Sequence, residues 1–318
     1  MAGANSGLSR RRLLERGGTA AGGVLAGSLI EMGTARTPRA AASAGAGRLP
    51  VAAIERIVQA QGSVSGGVLN IELERDDIGE VRGPLGVIFT PSFQINGNLF
   101  FQPLAGGRAL LNGDLALKPD ELQPFIDALL RNGLIFQAFH QHLPDLDPQV
   151  WFMHFRAVGD PLALARAAHA AVRATATPLP QAPPAHPTTP LDPERLGRIL
   201  HGEAEVGSDG VVTVSVLRKG RFVLGGVEAR SETNLLTTVD FKPLGGSRAA
   251  VVPDFAMVAS EIEPVMRVMR ARGWFVGCLY NQESDEHPQL YFSHQLKVGD
   301  AYRLAHEIRL GLNHTRSV

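Results

Sequence analysis

Three of the ten histidines in this 318-residue chain fall in one stretch, F-Q-A-F-H-Q-H-L-P-D-L-D-P-Q-V-W-F-M-H-F at 136–155. The pattern reads as a β-hairpin. Side chains alternate across a strand, so His140 and His142 share one face of the first strand. His154 lies on the partner strand and joins them if facing residue numbers sum to an even number. Three imidazoles on one face form a facial donor set for zinc, copper, iron or nickel. An open fourth position would let the ion act as a Lewis acid or acidify a bound water. Glu121, near the start of the preceding helix, is the candidate general base, or an added ligand.

Each group also has a plainer reading. His154 recurs as His294 in a second copy of the pattern, which suits a core histidine bonded to backbone. His140 and His142 would then simply end an exposed strand. A carboxylate in the first turn of a helix is favoured by the helix dipole whatever else it does. Asp145, Asp147, Asp285 and Glu286 lie in hairpin loops, where acidic side chains serve turns, and they offer too few oxygens at loop spacing for calcium. Cys278 is the only cysteine. With Val276 and Leu279 beside it, it reads as a buried, inert thiol. The glycine pairs at 106–107 and 225–226 build neither a G-x-G-x-x-G nor a P-loop. No G-x-S-x-G or H-E-x-x-H occurs.

The elements that position these residues follow from periodicity. A helix is expected at 51–61, with Ile54, Ile57 and Val58 on one side. Strands are expected at 68–75, 85–90, 99–104 and 108–117. Pro119 opens a helix carrying Leu122, Phe125, Ile126, Leu129 and Leu130 on its apolar side, stopped by Gly133. After the hairpin, Gly159-Asp160-Pro161 supplies an N-cap and an N1 proline for a closing helix to about residue 173. Seven prolines between 175 and 193 then predict an extended, polyproline-like linker.

Beyond the linker the first half returns. F-Q-P-L-A-G-G-R-A at 101–109 recurs as F-K-P-L-G-G-S-R-A at 241–249. Asp114, Glu121, Gly133, His154 and Asp160 recur as Asp254, Glu261, Gly273, His294 and Asp300, always 140 positions on. A constant offset over such a length marks a duplication. Features common to both copies serve the shared fold, and differences mark specialisation. His140 becomes Tyr280 and His142 becomes Gln282, so two of the clustered histidines belong to the first copy alone. The expected class is α+β. Two tandem repeats, 50–174 and 194–314, each combine a mostly antiparallel sheet with a β-α-β-β-α C-terminal part, and pack about a pseudo-two-fold.

The first 44 residues read differently. Ser9-Arg10-Arg11-Arg12-Leu13-Leu14 is a twin-arginine type n-region, followed by an apolar Gly/Ala-rich stretch and A-x-A cleavage sites at 40–44. The apolar part is too short and too weakly hydrophobic for a transmembrane span. Export to the periplasm or the outside is the expected address. The whole chain has formal net charge +0. Residues 1–44 hold six Arg and two Glu, so the mature protein would carry about −4. That leaves no basic surplus for a nucleic-acid partner.

Several runs together carry a family resemblance: L-N-G-D-L-A-L-K-P-D-E-L-Q-P-F at 111–125, H-Q-H-L-P-D-L-D-P-Q, W-F-M-H-F, G-D-P-L-A-L-A, and C-L-Y-N-Q-E-S-D-E-H-P-Q-L-Y-F-S-H in the second copy. In these the chain resembles the LppY/LpqO family of bacterial exported proteins, a domain family of unknown function. The resemblance implies an exported protein, membrane-tethered in its lipoprotein members, and no particular reaction. The chain lacks the lipobox cysteine of lipoprotein members, so membrane tethering is not expected. The leading expectation is a two-repeat exported protein binding a metal ion or small ligand at the histidine hairpin. Its rivals are a metal-dependent hydrolase or oxygenase at that site, and an envelope scaffold using Trp274, Tyr280 and Tyr291 as interface aromatics.

Overall fold

Strand Ala109–Leu117 is buried along its whole length, and its alternation sets the architecture. Ala109, Leu111, Leu115 and Leu117 enter a core shared with helices, whereas Leu110 and Ala116 enter separate apolar clusters on the other side. A strand covered on both faces belongs in the middle of a layered structure. The computed structural model, which describes residues 47–183 and 187–317, has that form. The expected export segment lies outside the described residues.

Six antiparallel strands form the first sheet, in the order Ser63–Ser65, Val68–Glu74, Asn96–Pro103, Ala109–Leu117, Trp151–Gly159, Ile135–His140. A second six-stranded sheet runs Phe275–Val276, Tyr291–Asp300, Arg248–Met257, Thr237–Pro243, Val212–Val216, Glu203–Val206. Helices Val51–Val58, Leu122–Arg131 and Pro161–Val172 cover one face of the first sheet. Pro193–Leu200, Ala259–Arg270 and Ala301–Leu312 do the same for the second. The fold is α+β with a repeated arrangement, as expected. The caps also repeat: Asp160 accepts from Ala163 N at 2.8 Å, and Asp300 from Arg303 N at 2.9 Å. Both fix the start of the closing helix.

The uncovered faces of the two sheets meet each other. Ala116 of the first copy clusters with Ala250 of the second at one end of this layer. At the other end Leu110 clusters with Ala256. Because 110 and 250, and 116 and 256, are counterparts at the 140-residue offset, the contacts are reciprocal. That is the signature of a two-fold. A buried ion pair repeats as well. Arg75 meets Glu121 at 2.8 Å and donates to Ala116 O, while Arg218 meets Glu261 at 2.7 Å and donates to Ala256 O.

Two expectations need correction. The stretch 85–90 is not one strand. Pro84–Gly86 makes a short 3-10 turn, with Leu85 at φ 59°, before the two-residue strand Ile88–Phe89. Proline and glycine flanking Leu85 favour that turn over an extended run. Nor is 175–193 a free spacer. Thr177 is buried, and the Gln181 side chain accepts from Glu74 N at 3.0 Å and donates to Glu74 O at 3.2 Å. Leu179 packs on the first core and Leu191 is buried in the second. Proline limits the chain's freedom but leaves the side chains between prolines able to dock. No described helix is long and apolar enough to cross a membrane.

Candidate metal centre

The layer between the sheets carries an apolar cluster toward each end and polar side chains between them. Ladder register explains which side chains arrive there. His140 faces Phe152, and Ala138 faces His154. Facing residues share a side of the sheet, so His140 and His154 look into the same layer. One strand further in, Asp114 faces His154. In the second copy Asp254 faces His294 in the same way. The chain passes the strand end at His140 and carries His142 inward, leaving it 9% exposed. The two-fold brings His294 across from the opposite sheet.

Ligand atoms of His140, His142 and His294 lie within 4.8 Å of one another. The rings of His142 and His294 stack with centroids 3.7 Å apart, and His140 lies 5.1 Å from His142. His142 is backed by Phe152 at 3.3 Å and His140 by Tyr280 at 3.5 Å, which limits ring rotation. His154 stacks 5.1 Å from His140. It stands beside this trio, outside the group whose ligand atoms converge. The third converging imidazole is thus His294, not His154, and the site is built by both copies. The sequence pattern reads His294 as a core residue, whereas the structure groups it with His140 and His142. The reason for the change is packing: the sheets pair face to face, which strand alternation alone does not specify.

A hydrogen-bonded chain orients His142. Its Nδ1 lies 3.1 Å from Gln94 Oε1. A carbonyl oxygen only accepts, so Nδ1 carries the proton and the Nε2 lone pair faces away. Gln94 Nε2 donates to Asp240 Oδ2 at 2.6 Å, and Thr213 Oγ1 donates to Asp240 Oδ1 at 2.6 Å. Outer partners of this kind fix tautomer and ring angle for metal-binding histidines. Here they span the copies, Gln94 from the first and Asp240 from the second. His294 Nδ1 faces Cys278 Sγ at 3.4 Å and Asp254 Oδ1 at 3.7 Å.

Burial decides the charge states. It pushes His154 and His294 down to about 3 and holds His140 and His142 well below the usual imidazole range, the last two aided by repulsion between the rings. All four are neutral near pH 7, the form that binds metals. Burial also raises Asp254 to about 8, with Asp240 and Asp114 adding repulsion, and Asp114 to about 7. The Cys278 thiol is pushed far up by burial and stays protonated. Both ring nitrogens of His140, His154 Nε2 and Asp254 Oδ1 are buried without a hydrogen-bond partner among the described residues. Buried polar atoms are rarely left so, and a coordinated cation is one partner that satisfies imidazole and carboxylate together.

Glu121 is not brought to the histidines. Its oxygens accept from Arg75 at 2.8 and 2.9 Å, from Lys118 N at 2.8 Å and from Ala176 N at 2.8 Å. Glu261 repeats the pattern with Arg218, Val258 N and Arg316 N. A role common to both copies is structural, whereas Asp254 Oδ1 lies 3.7 Å from His294 Nδ1. Of the three proposed interface aromatics, Trp274 is fully buried and donates Nε1 to Glu307 at 2.9 Å. Tyr280 lines the centre, its hydroxyl 3.4 Å from Asp254 Oδ2. Tyr291 is partly buried.

The family model described as Domain of Unknown Function (DUF1259) matches the chain twice, over residues 52–174 and 194–314. No curated protein and no solved structure matches it.

Proposed function

The chain belongs to the DUF1259 family in two copies, and we propose that it is an exported protein holding one transition-metal ion between them. The observation that carries this is the convergence of His140, His142 and His294 within 4.8 Å. Three neutral imidazoles suit zinc, copper, iron or nickel. Burial of His142 and His294 supports binding or storage of an ion over hydrolase or oxygenase turnover, which needs a coordination position open to substrate. The test is elemental analysis of purified mature protein with melts in the presence and absence of chelator. About one equivalent of ion is expected. Chelation should lower the melting point, since saturation at a hundredfold excess over Kd stabilises by about 2.7 kcal/mol. Metal-free protein whose melt ignores chelator and added zinc, copper, iron and nickel would refute the proposal.

The address is part of the same proposal. Arg10, Arg11 and Arg12 followed by an apolar stretch support twin-arginine export, in keeping with the resemblance to LppY/LpqO proteins. Changing all three arginines to lysine is expected to leave the protein uncleaved in the cytoplasm, read by cell fractionation. A cleaved product outside would overturn the assignment.

A further inference from the structure

Comparing the two ends of the inter-sheet layer exposes an asymmetry that the fold itself does not need. At one end Leu143 and Leu146 of the first copy cluster with Leu296 of the second. Counterparts at the 140-residue offset meet at the other end, where the residues are Glu283, Glu286 and Arg156. Arg156 Nε lies 3.7 Å from Glu283 Oε2, and its Nη2 donates to Ser284 O at 3.2 Å. Glu286 accepts from Leu290 N at 2.8 Å and Gln289 Nε2 at 2.9 Å. These polar groups are as buried as their leucine counterparts: 4% exposed for Arg156, 0% for Glu283 and 2% for Glu286, against 5% or less for Leu143, Leu146 and Leu296.

Equivalent backbone positions are thus filled once by three apolar side chains and once by a buried guanidinium with two carboxyl groups, which burial raises to about 8 for Glu283 and about 7 for Glu286. The leucine end demonstrates that close packing is available without charge. Buried ion pairs are commonly no more stabilising than apolar residues of similar volume, but separating their partners is strongly destabilising. Discrimination between partners follows from that difference.

We infer that this exchange is a pairing code that admits only unlike copies to the shared face. The cognate partner of a first copy is a second copy, and pairing of like copies from two chains is rejected. Joining two first copies would bury each Arg156 against Leu143 and Leu146. Joining two second copies would bury Glu283 and Glu286 against Leu296. Both arrangements leave buried polar groups facing leucine, whereas the unlike pair sets the Arg156 guanidinium beside carboxyl groups and leucine beside leucines. The code keeps each chain's copies for each other, and the inference stands whether or not the layer holds an ion.

Full-length variants test it. Arg156→Leu alone is expected to lower the melting temperature by about 10 °C, because the glutamates lose their cation. The triple variant Arg156→Leu/Glu283→Leu/Glu286→Leu should return to at least the wild-type value. With both ends now apolar, like copies are no longer rejected. Refolding a mixture of isotope-labelled and unlabelled triple variant at high concentration should yield dimers with cross-links joining first copy to first copy between chains. Wild type refolded identically should give none. A triple variant that stays as unstable as the single one, or fails to fold, overturns the inference. So does one that recovers stability yet gives no like-to-like cross-links.

Discussion

Replacing His294 with alanine is expected to abolish stoichiometric ion binding, although this histidine lies in the copy that lacks counterparts of His140 and His142. The expectation follows from ligand count. His140 and His142 alone offer two imidazoles, and the converging third comes from the opposite sheet. Losing one of three protein ligands removes the facial set that holds such an ion tightly. His154→Ala should leave the ion in place, because His154 stacks beside His140 outside the converging group. Gln94→Leu should fall between, weakening affinity about 10–100-fold as for other residues that orient metal-binding histidines. Elemental analysis with chelator competition on these three variants gives the ranking. An equivalent of ion retained by His294→Ala but lost from His154→Ala would restore the hairpin-only site and discard the shared one.

The sequence made the repeated architecture legible because hydrophobic alternation and a constant 140-residue offset are local or pairwise signals. Ala109–Leu117 differs from the expected 108–117 only at its first residue. The composition of the site was half legible. His140 and His154 share a face because their ladder sums are even, which alternation could state in advance. His294, Gln94 and Asp240 were not found, because their approach depends on which faces of two sheets meet. A signal was present nonetheless. Asp114–His154 and Asp254–His294 occupy the same cross-strand positions in both copies. A polar pair repeated at the same ladder position in both inward faces marks the axis where those faces join. Glu121 misled for the opposite reason. A carboxylate near a helix start looks the same in sequence whether it pairs with a distant arginine or serves a reaction, and Arg75 lies 46 residues away.

Glu121 is accordingly expected to matter for stability and not for the ion. Arg75 is fully buried, and Glu121 supplies two of its charged contacts, while Asp77 supplies the others at 2.8 and 2.9 Å. Glu121→Ala would leave the guanidinium short of a counter-charge and remove the acceptor from Lys118 N and Ala176 N, loosening the helix start and the segment that follows the first copy. Removing one member of a buried pair typically destabilises by about 3–5 kcal/mol, which in a chain of this size lowers the melting temperature by about 6–20 °C. Arg75→Met added to Glu121→Ala should recover part of the loss, since no uncompensated charge then remains. Ion content per folded molecule should stay at the wild-type value in both. The same series on Arg218 and Glu261 should give a comparable loss, because the second copy repeats the pair at 2.7 Å. A Glu121→Ala protein that melts like wild type but has lost its ion would place this carboxylate at the metal after all.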